Sequence, residues 1–250
     1  MTVKKLSLRD KSVISGLYLS KFDLEGLNKL DFESFSEAFN VIGFSLGVQP
    51  ASIKNYRDEF DPLHPNNRKG WHKREMRVYC RAIYDEFGSM HLDEFAKMLR
   101  KIIYKEHDID LLMEEVAISE GESSSFAKRL ITGQAAEHYF AKKYQEVDLF
   151  RGLELEDTTK LGCGFDFRLV SADWFYVVEV KGLNEQSGNI SITQKEHSVA
   201  SLLRDRYFLF VVKNFRDVPS YQLFRDPLNS GLAFEKIEQK VVQTSWAARV

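Results

Sequence analysis

The hydrophobic period changes partway along this 250-residue chain, and no uniform architecture can absorb both patterns. In the first part apolar residues recur every three or four positions, as in Phe32, Phe35, Phe39, Ile42 and Leu46, the spacing of a helix with one buried face. In the second part the unit becomes a short β-branched and aromatic run bounded by turn residues, the spacing of strands. An all-helical or all-β chain is thereby excluded, and the pattern predicts an N-terminal helical domain followed by a mixed-sheet α/β domain. The best boundary is Gly121-Glu122-Ser123-Ser124-Ser125, which divides the chain into residues 1–120 and 121–250. Residues 109–118 form one further helical candidate.

Within the first part, Asp31 is the expected N-cap of a helix through Leu46, with Ser34 close behind. Gly47 suits the positive φ of a helix end and Pro50 the first turn of the next helix. The second helix would bury Ile53, Tyr56 and Phe60 and expose Ser52, Lys54, Asn55 and Arg57. Two helices joined by a tight glycine turn have the outline of a helix-turn-helix, whose second helix enters a DNA groove. Helical patterns follow over Met76–Phe87, ended by Gly88, and over Leu92–Ile102.

Charge is nearly balanced, with 35 Lys+Arg against 37 Asp+Glu and a net charge of −2. That balance argues against general nucleic-acid affinity and against disorder. A local exception is Arg68, Lys69, Lys73, Arg74 and Arg77, with Trp71 and His72 among them. The expectation is a phosphate-binding stretch; the competing reading is a solvated face with snorkelling side chains. No apolar run reaches the roughly 18–20 residues of a membrane span. The basic N-terminus and the Val13–Leu19 patch lack a small-residue cleavage pattern, so no secretory signal is expected. Cys80 and Cys163 match no zinc spacing, and the compartment expected is the reducing cytoplasm.

In the second part a helix is expected over Phe126–Tyr144. Strands are expected over Val147–Phe150, Gly164–Val170, Trp174–Lys181, Ile190–Thr193, Tyr207–Lys213 and Tyr221–Phe224, with a helix over Gln194–Leu203. The run Tyr207–Val212 is continuously apolar, as in a strand buried on both faces. The chemistry lies in Gly164-Phe165-Asp166-Phe167-Arg168 and Phe175-Tyr176-Val177-Val178-Glu179-Val180-Lys181-Gly182. Period two puts Glu179 and Lys181 on one face of a strand otherwise apolar, where charge is costly unless paired or coordinated. A two-residue loop at Ala172-Asp173 would set Asp166 directly across from Glu179, with Cβ atoms about 4.5–5.5 Å apart. A slip of one residue would send Asp166 to the other face. Two carboxylates and an ammonium at a hairpin end suit a hydrated Mg²⁺ finished by substrate phosphate. The competing reading is a structural ion pair that leaves two acids sharing one lysine.

These residues resemble the PD-(D/E)XK nuclease superfamily, in particular its Mrr-like and restriction or defence endonuclease branch. The likeness covers about residues 120–215: an Asp strand, then the Glu179-Val180-Lys181 strand, then a helix and a strand. Phe165 stands where the namesake proline would be. The resemblance implies a restriction-endonuclease-like α/β domain and Mg²⁺-dependent (or Mn²⁺-dependent) hydrolysis of phosphodiester bonds in double-stranded DNA. It implies Asp166, Glu179 and, through its main chain, Val180 as metal ligands, Lys181 as the catalytic lysine, and Glu137 as a further acid from the preceding helix. Gln194, Lys195 and Glu196 fall in a region where relatives place polar active-site or DNA-contacting residues, with Ser191, Thr193 and Lys195 as candidates to touch phosphate; capping by Thr193 with Glu196 three residues on is the local alternative. A restriction role on symmetric sites would imply a homodimer. The rivals are a repair or recombination nuclease of the same superfamily, and a non-catalytic DNA-binding protein on a nuclease-like scaffold.

Overall fold

A computed structural model describes residues 6–68, 70–71, 74–103, 123–237 and 248. The helical part comprises α1 (Leu8–Lys29), α2 (Phe35–Ser45), α3 (Pro50–Phe60), α4 (Val78–Phe87) and α5 (Leu92–Ile103). There follow α6 (Ser123–Lys143), β1 (Glu154–Asp157), β2 (Phe167–Val170), β3 (Phe175–Gly182), α7 (Gln194–Leu203), β4 (Tyr207–Lys213) and β5 (Ser220–Arg225). This is the expected helical segment followed by a mixed α/β sheet. The residues 109–118 and the boundary at 121 lie outside the described residues.

The longest described helix of the first part, α1, carries no amphipathic signature in the sequence because it is central. Residues 12–20 are all buried, so no polar face marks its period. Its serines satisfy themselves within the turn below: Ser12 donates to the Leu8 carbonyl and Ser15 to that of Lys11. Gly16 lets α3 cross in contact, since a Cβ there would lie 2.4 Å from that of Tyr56. The N-cap of α2 is Ser34, whose hydroxyl accepts from the Glu37 amide; Asp31 sits outside the helix at a φ of 60°. Gly47 has the expected positive φ of 71°, and Pro50 opens α3.

Two buried carboxylates near the end of α3 hold the following segment. Asp61 accepts two bonds from Arg68, both 2.9 Å, and one from Ser20, while Arg68 also reaches Asp23 at the break in α1. Glu59 accepts from Arg74 and Arg77. Burial opposes its charge, but those arginine bonds outweigh it and hold the carboxyl down at about 2.

The sheet runs β1-β2-β3-β4-β5, parallel only between β3 and β4. The segment expected as a strand at Val147–Phe150 contains a 3₁₀ turn instead, burying Val147 and Phe150 three residues apart. Ile190–Thr193 forms no strand and leads into α7; the Asp166 strand proper begins at Phe167. The edge strand β1 has no apolar strand pattern in the sequence, because Glu154-Leu155-Glu156-Asp157 is mostly acidic, as suits an edge.

Helix α6 packs on one face of the sheet: the Phe140 ring lies 5.0 Å from Phe167 and 4.9 Å from Phe210. Helix α7 covers the other, its Ala200, Val199 and Leu203 meeting Val177 and Tyr207. The helical part stacks behind α6. Asn40 donates to the Phe215 and Asp217 carbonyls, Ser45 to that of Ile131, and Gln134 back to that of Ser45. One apolar core therefore runs from Val13 and Ile42 through Phe140 to Phe210. Among the described residues no helix is long and apolar enough to cross a membrane.

Two stability outcomes follow. Gly16→Ala should lower the unfolding free energy by about 1–3 kcal/mol, whereas Gly133→Ala in α6, where a Cβ meets nothing within 4 Å, should raise it by up to about 1 kcal/mol. Arg68→Ala should cost about 2–3 kcal/mol, somewhat less than breaking a fully buried pair, because Arg57 remains 3.6 Å from Asp61. Urea unfolding of the three variants checks both; an Arg68→Ala midpoint equal to the wild type would sink the second.

Candidate active site

The hairpin between β2 and β3 decides the site. Ser171 donates to the Trp174 carbonyl, leaving Ala172-Asp173 as the two-residue loop. The ladder then pairs Val170 with Phe175 and Phe167 with Val178. One step further, Asp166 stands across from Glu179, in the register expected from the sequence; its amide donates to the Val178 carbonyl at 3.0 Å. Val178 and Val180 point into the core beneath α6, so Glu179 and Lys181 share the α7 face with Val177.

Glu179 is 4 % exposed. Its Oε1 accepts from Lys181 Nζ at 2.6 Å, and the same ammonium donates to Glu196 Oε2 at 2.9 Å. Asp166 takes no bond from the lysine; its Oδ2 accepts from the Val180 amide at 2.8 Å. Glu196 is also the expected capping partner. Thr193 caps α7, accepting from the Glu196 amide, while Glu196 Oε2 accepts from the Thr193 amide at 2.9 Å. Thr193, expected among the DNA contacts, thus has its hydroxyl engaged in a capping box.

Tyr207 is a neighbour that sequence reasoning missed. Its buried hydroxyl donates to the Gly164 carbonyl at 3.0 Å. Gly164 itself has a φ of 92°, and a Cβ there would strike Val199 at 2.9 Å. The turn that delivers Asp166 is therefore clamped between β4 and α7. Gly182 has a matching role on the other side, since a Cβ would lie 2.6 Å from the Thr132 carbonyl of α6.

Electrostatics mark the cluster as short of positive charge. Burial is the main force pushing Asp166 up to about 7; the nearby Glu137 carboxylate adds to it, and the Val180 amide and Lys181 oppose it. Burial, then Asp166, pushes Glu179 well above the usual carboxylate range. Burial lowers Lys181, but Glu179 and Glu196 outweigh it and hold the ammonium charged. Glu137, half-buried on α6, is thus felt at Asp166.

The donors are hard oxygens with excess negative charge, which fits Mg²⁺. Among the described residues no three His, Cys, Asp or Glu side chains gather as a metal cage. Two carboxylates completed by water are how Mg²⁺ is commonly held.

The expected DNA-contacting residues fall into four groups. Lys54, Asn55, Gln194 and Lys195 are exposed, and Ser52 is half-buried. Arg57 is a correction: it is buried, with its guanidinium over the Phe35 and Phe39 rings and bonded to Asp58. Arg68 is tied to Asp61 and Asp23, and Arg74 shares Glu59 with Arg77, so neither guanidinium is an unpaired cation. Lys69 and Lys73 lie outside the described residues.

Residues 135–224 match the family model described as Protein NO VEIN, C-terminal. The matched span contains Glu137, Asp166, Glu179, Lys181, Glu196 and Tyr207, and covers well under half of the chain. No curated protein and no solved structure matches it.

The raised carboxyls set a pH dependence. A carboxyl whose folded pKa lies above its unfolded value near 4 binds more protons in the native state, so stability falls as pH rises between the two. For Asp166 that window runs from about 4 to about 7. Asp166→Asn, which keeps an acceptor for the Val180 amide, should be more stable than the wild type at pH 8, by about 1.4 kcal/mol for each pKa unit relieved. The gap should close as pH falls toward 4. Denaturant unfolding at several pH values checks this, and a gap independent of pH would refute it.

Proposed function

We propose that the chain is a Mg²⁺-dependent endonuclease that hydrolyses phosphodiester bonds in double-stranded DNA, in the manner of a PD-(D/E)XK restriction or defence enzyme. The observation that carries this reading is the register: Asp166 faces Glu179 across the hairpin, and Lys181 lies two residues on along the same face. A purely structural pair needs one acid for one lysine. Here two carboxylates, Glu179 and Glu196, bind one ammonium while a third, Asp166, faces Glu179 without bonding to it, and Asp166 and Glu179 are pushed toward the protonated form.

Asp166 and Glu179 would hold the ion, with the Val180 main chain beside them. When bound, Mg²⁺ supplies a bound water of lowered pKa and neutralises charge on the phosphoryl oxygens. Lys181 then orients the attacking water and stabilises the charge that grows as the new P–O bond forms and the leaving oxygen departs. The Val180 amide keeps Asp166 from turning away. The exposed Gln194 and Lys195 at the start of α7, on the same face of the sheet, are suited to contact the phosphate backbone. The α2–α3 pair packs through α2 on α6, which covers the sheet face opposite α7, so Lys54 and Asn55 of α3 would meet a different stretch of the duplex.

Asp166→Ala, Glu179→Ala and Lys181→Ala should each lower Mg²⁺-dependent cleavage of plasmid and phage DNA by about 10²-fold or more, while duplex binding in a gel shift stays within about threefold. Full cleavage by any of the three purified variants would overturn the assignment.

A further inference from the structure

Lys181 has two acids, and they are not equivalent. Glu179 shares its strand and would be drawn toward a bound cation. Glu196 sits on α7, and its Oε2 is also held by the Thr193 amide at 2.9 Å within a reciprocal capping box. The oxygen that steadies the helix start is thus the same oxygen that holds the ammonium. Its backbone is fixed in turn, because Gly164 packs directly against Lys195 and Val199 of the same helix.

We propose that Glu196 is the positioning residue for Lys181: it retains the ammonium at the sheet rim when Glu179 turns its oxygens to a divalent cation. The inference rests on the nuclease reading and assigns within it a role to a residue outside the Asp, Glu and Lys set. A lysine side chain is a flexible four-carbon stem carrying a compact charge. If Glu179 were its sole partner, cation binding would release it twice over, by occupying the carboxylate and by repelling a like charge. A second carboxylate on a separate element removes that conflict. Glu196 already carries a cap bond and the lysine on one oxygen, which suits an anchor more than a metal ligand.

The test compares the wild type, Glu196→Gln, Glu196→Asp, Lys181→Ala and the Glu196→Gln/Lys181→Ala double variant. Gln keeps an acceptor for the Thr193 amide and removes the charge; Asp keeps the charge on a shorter arm. Mg²⁺ itself is the probe, followed by titration calorimetry and by NMR of lysines labelled at Cε, with the Lys181 signal assigned by its loss in Lys181→Ala.

The expected result is that Mg²⁺ affinity in Glu196→Gln stays within about threefold of the wild type, while the Lys181 signal shifts and broadens on Mg²⁺ addition only in that variant. On plasmid DNA kcat should drop about 10- to 100-fold with KM nearly unchanged. Glu196→Asp should recover part of the loss, and the double variant should be no slower than Lys181→Ala alone, as for two residues acting as one unit.

A wild type that binds no Mg²⁺ would overturn the nuclease reading and this inference with it. A wild type that binds Mg²⁺, with a Lys181 signal in Glu196→Gln that responds as in the wild type, would overturn the positioning role alone. Loss of Mg²⁺ binding by more than about tenfold in both Glu196 variants would make Glu196 a ligand and overturn it as well.

Discussion

A carboxylate buried inside an apolar strand is the constraint on which the rest of this structure turns. Glu179 lies between Val178 and Val180 and is nearly sealed from water, where an uncompensated charge would cost several kcal/mol. Lys181, two residues on along the same face, supplies the cation that reaches it. That single ion pair would suffice for stability. Asp166 and Glu196 are in excess of it, and excess buried acid is disfavoured unless a further positive charge is shared. Here the excess shows as the raised proton affinity of Asp166 and Glu179, for which burial is the main cause.

Close packing holds this arrangement. Helix α7 approaches the hairpin so tightly that only glycine fits at 164, and α6 crosses the end of β3 with only glycine tolerated at 182. Tyr207 ties β4 to the Gly164 turn. The acid before β2, the acid and lysine on β3 and the acid on α7 are therefore referred to one frame. The helical part reinforces that frame from behind, through Asn40, Ser45 and Phe44 against the loop after β4 and against α6. A linear division near residue 121 does not correspond to a division of the core, which is continuous across both parts.

Arginines of the segment after α3 illustrate how charge in a sequence can mislead. Arg68, Arg74 and Arg77 form a basic cluster along the chain, yet each finds an acid that sequence distance hides: Asp61 and Asp23 for the first, Glu59 for the other two. These pairs are bidentate and partly buried, the geometry in which arginine is structural. Local charge density along the chain says where cations are, and only the fold says whether they are spoken for.

What was legible in the residues alone follows from local physics. Period two in Phe175–Lys181, the short Ala172-Asp173 loop and the continuous apolar run at Tyr207–Val212 determine the hairpin register, the shared face of Glu179 and Lys181, and a central buried strand. Capping chemistry at Thr193 and Glu196, and the glycine–proline turn at 47–50, likewise depend on neighbours a few residues away. Tertiary structure decided the rest: the central α1, which has no polar face to betray it; the acidic edge strand β1; the burial of Arg57; and the meeting of Glu196 with Lys181. Each of these depends on contacts between segments distant in sequence, and one-dimensional periodicity records which face of an element is apolar but not what is packed against it.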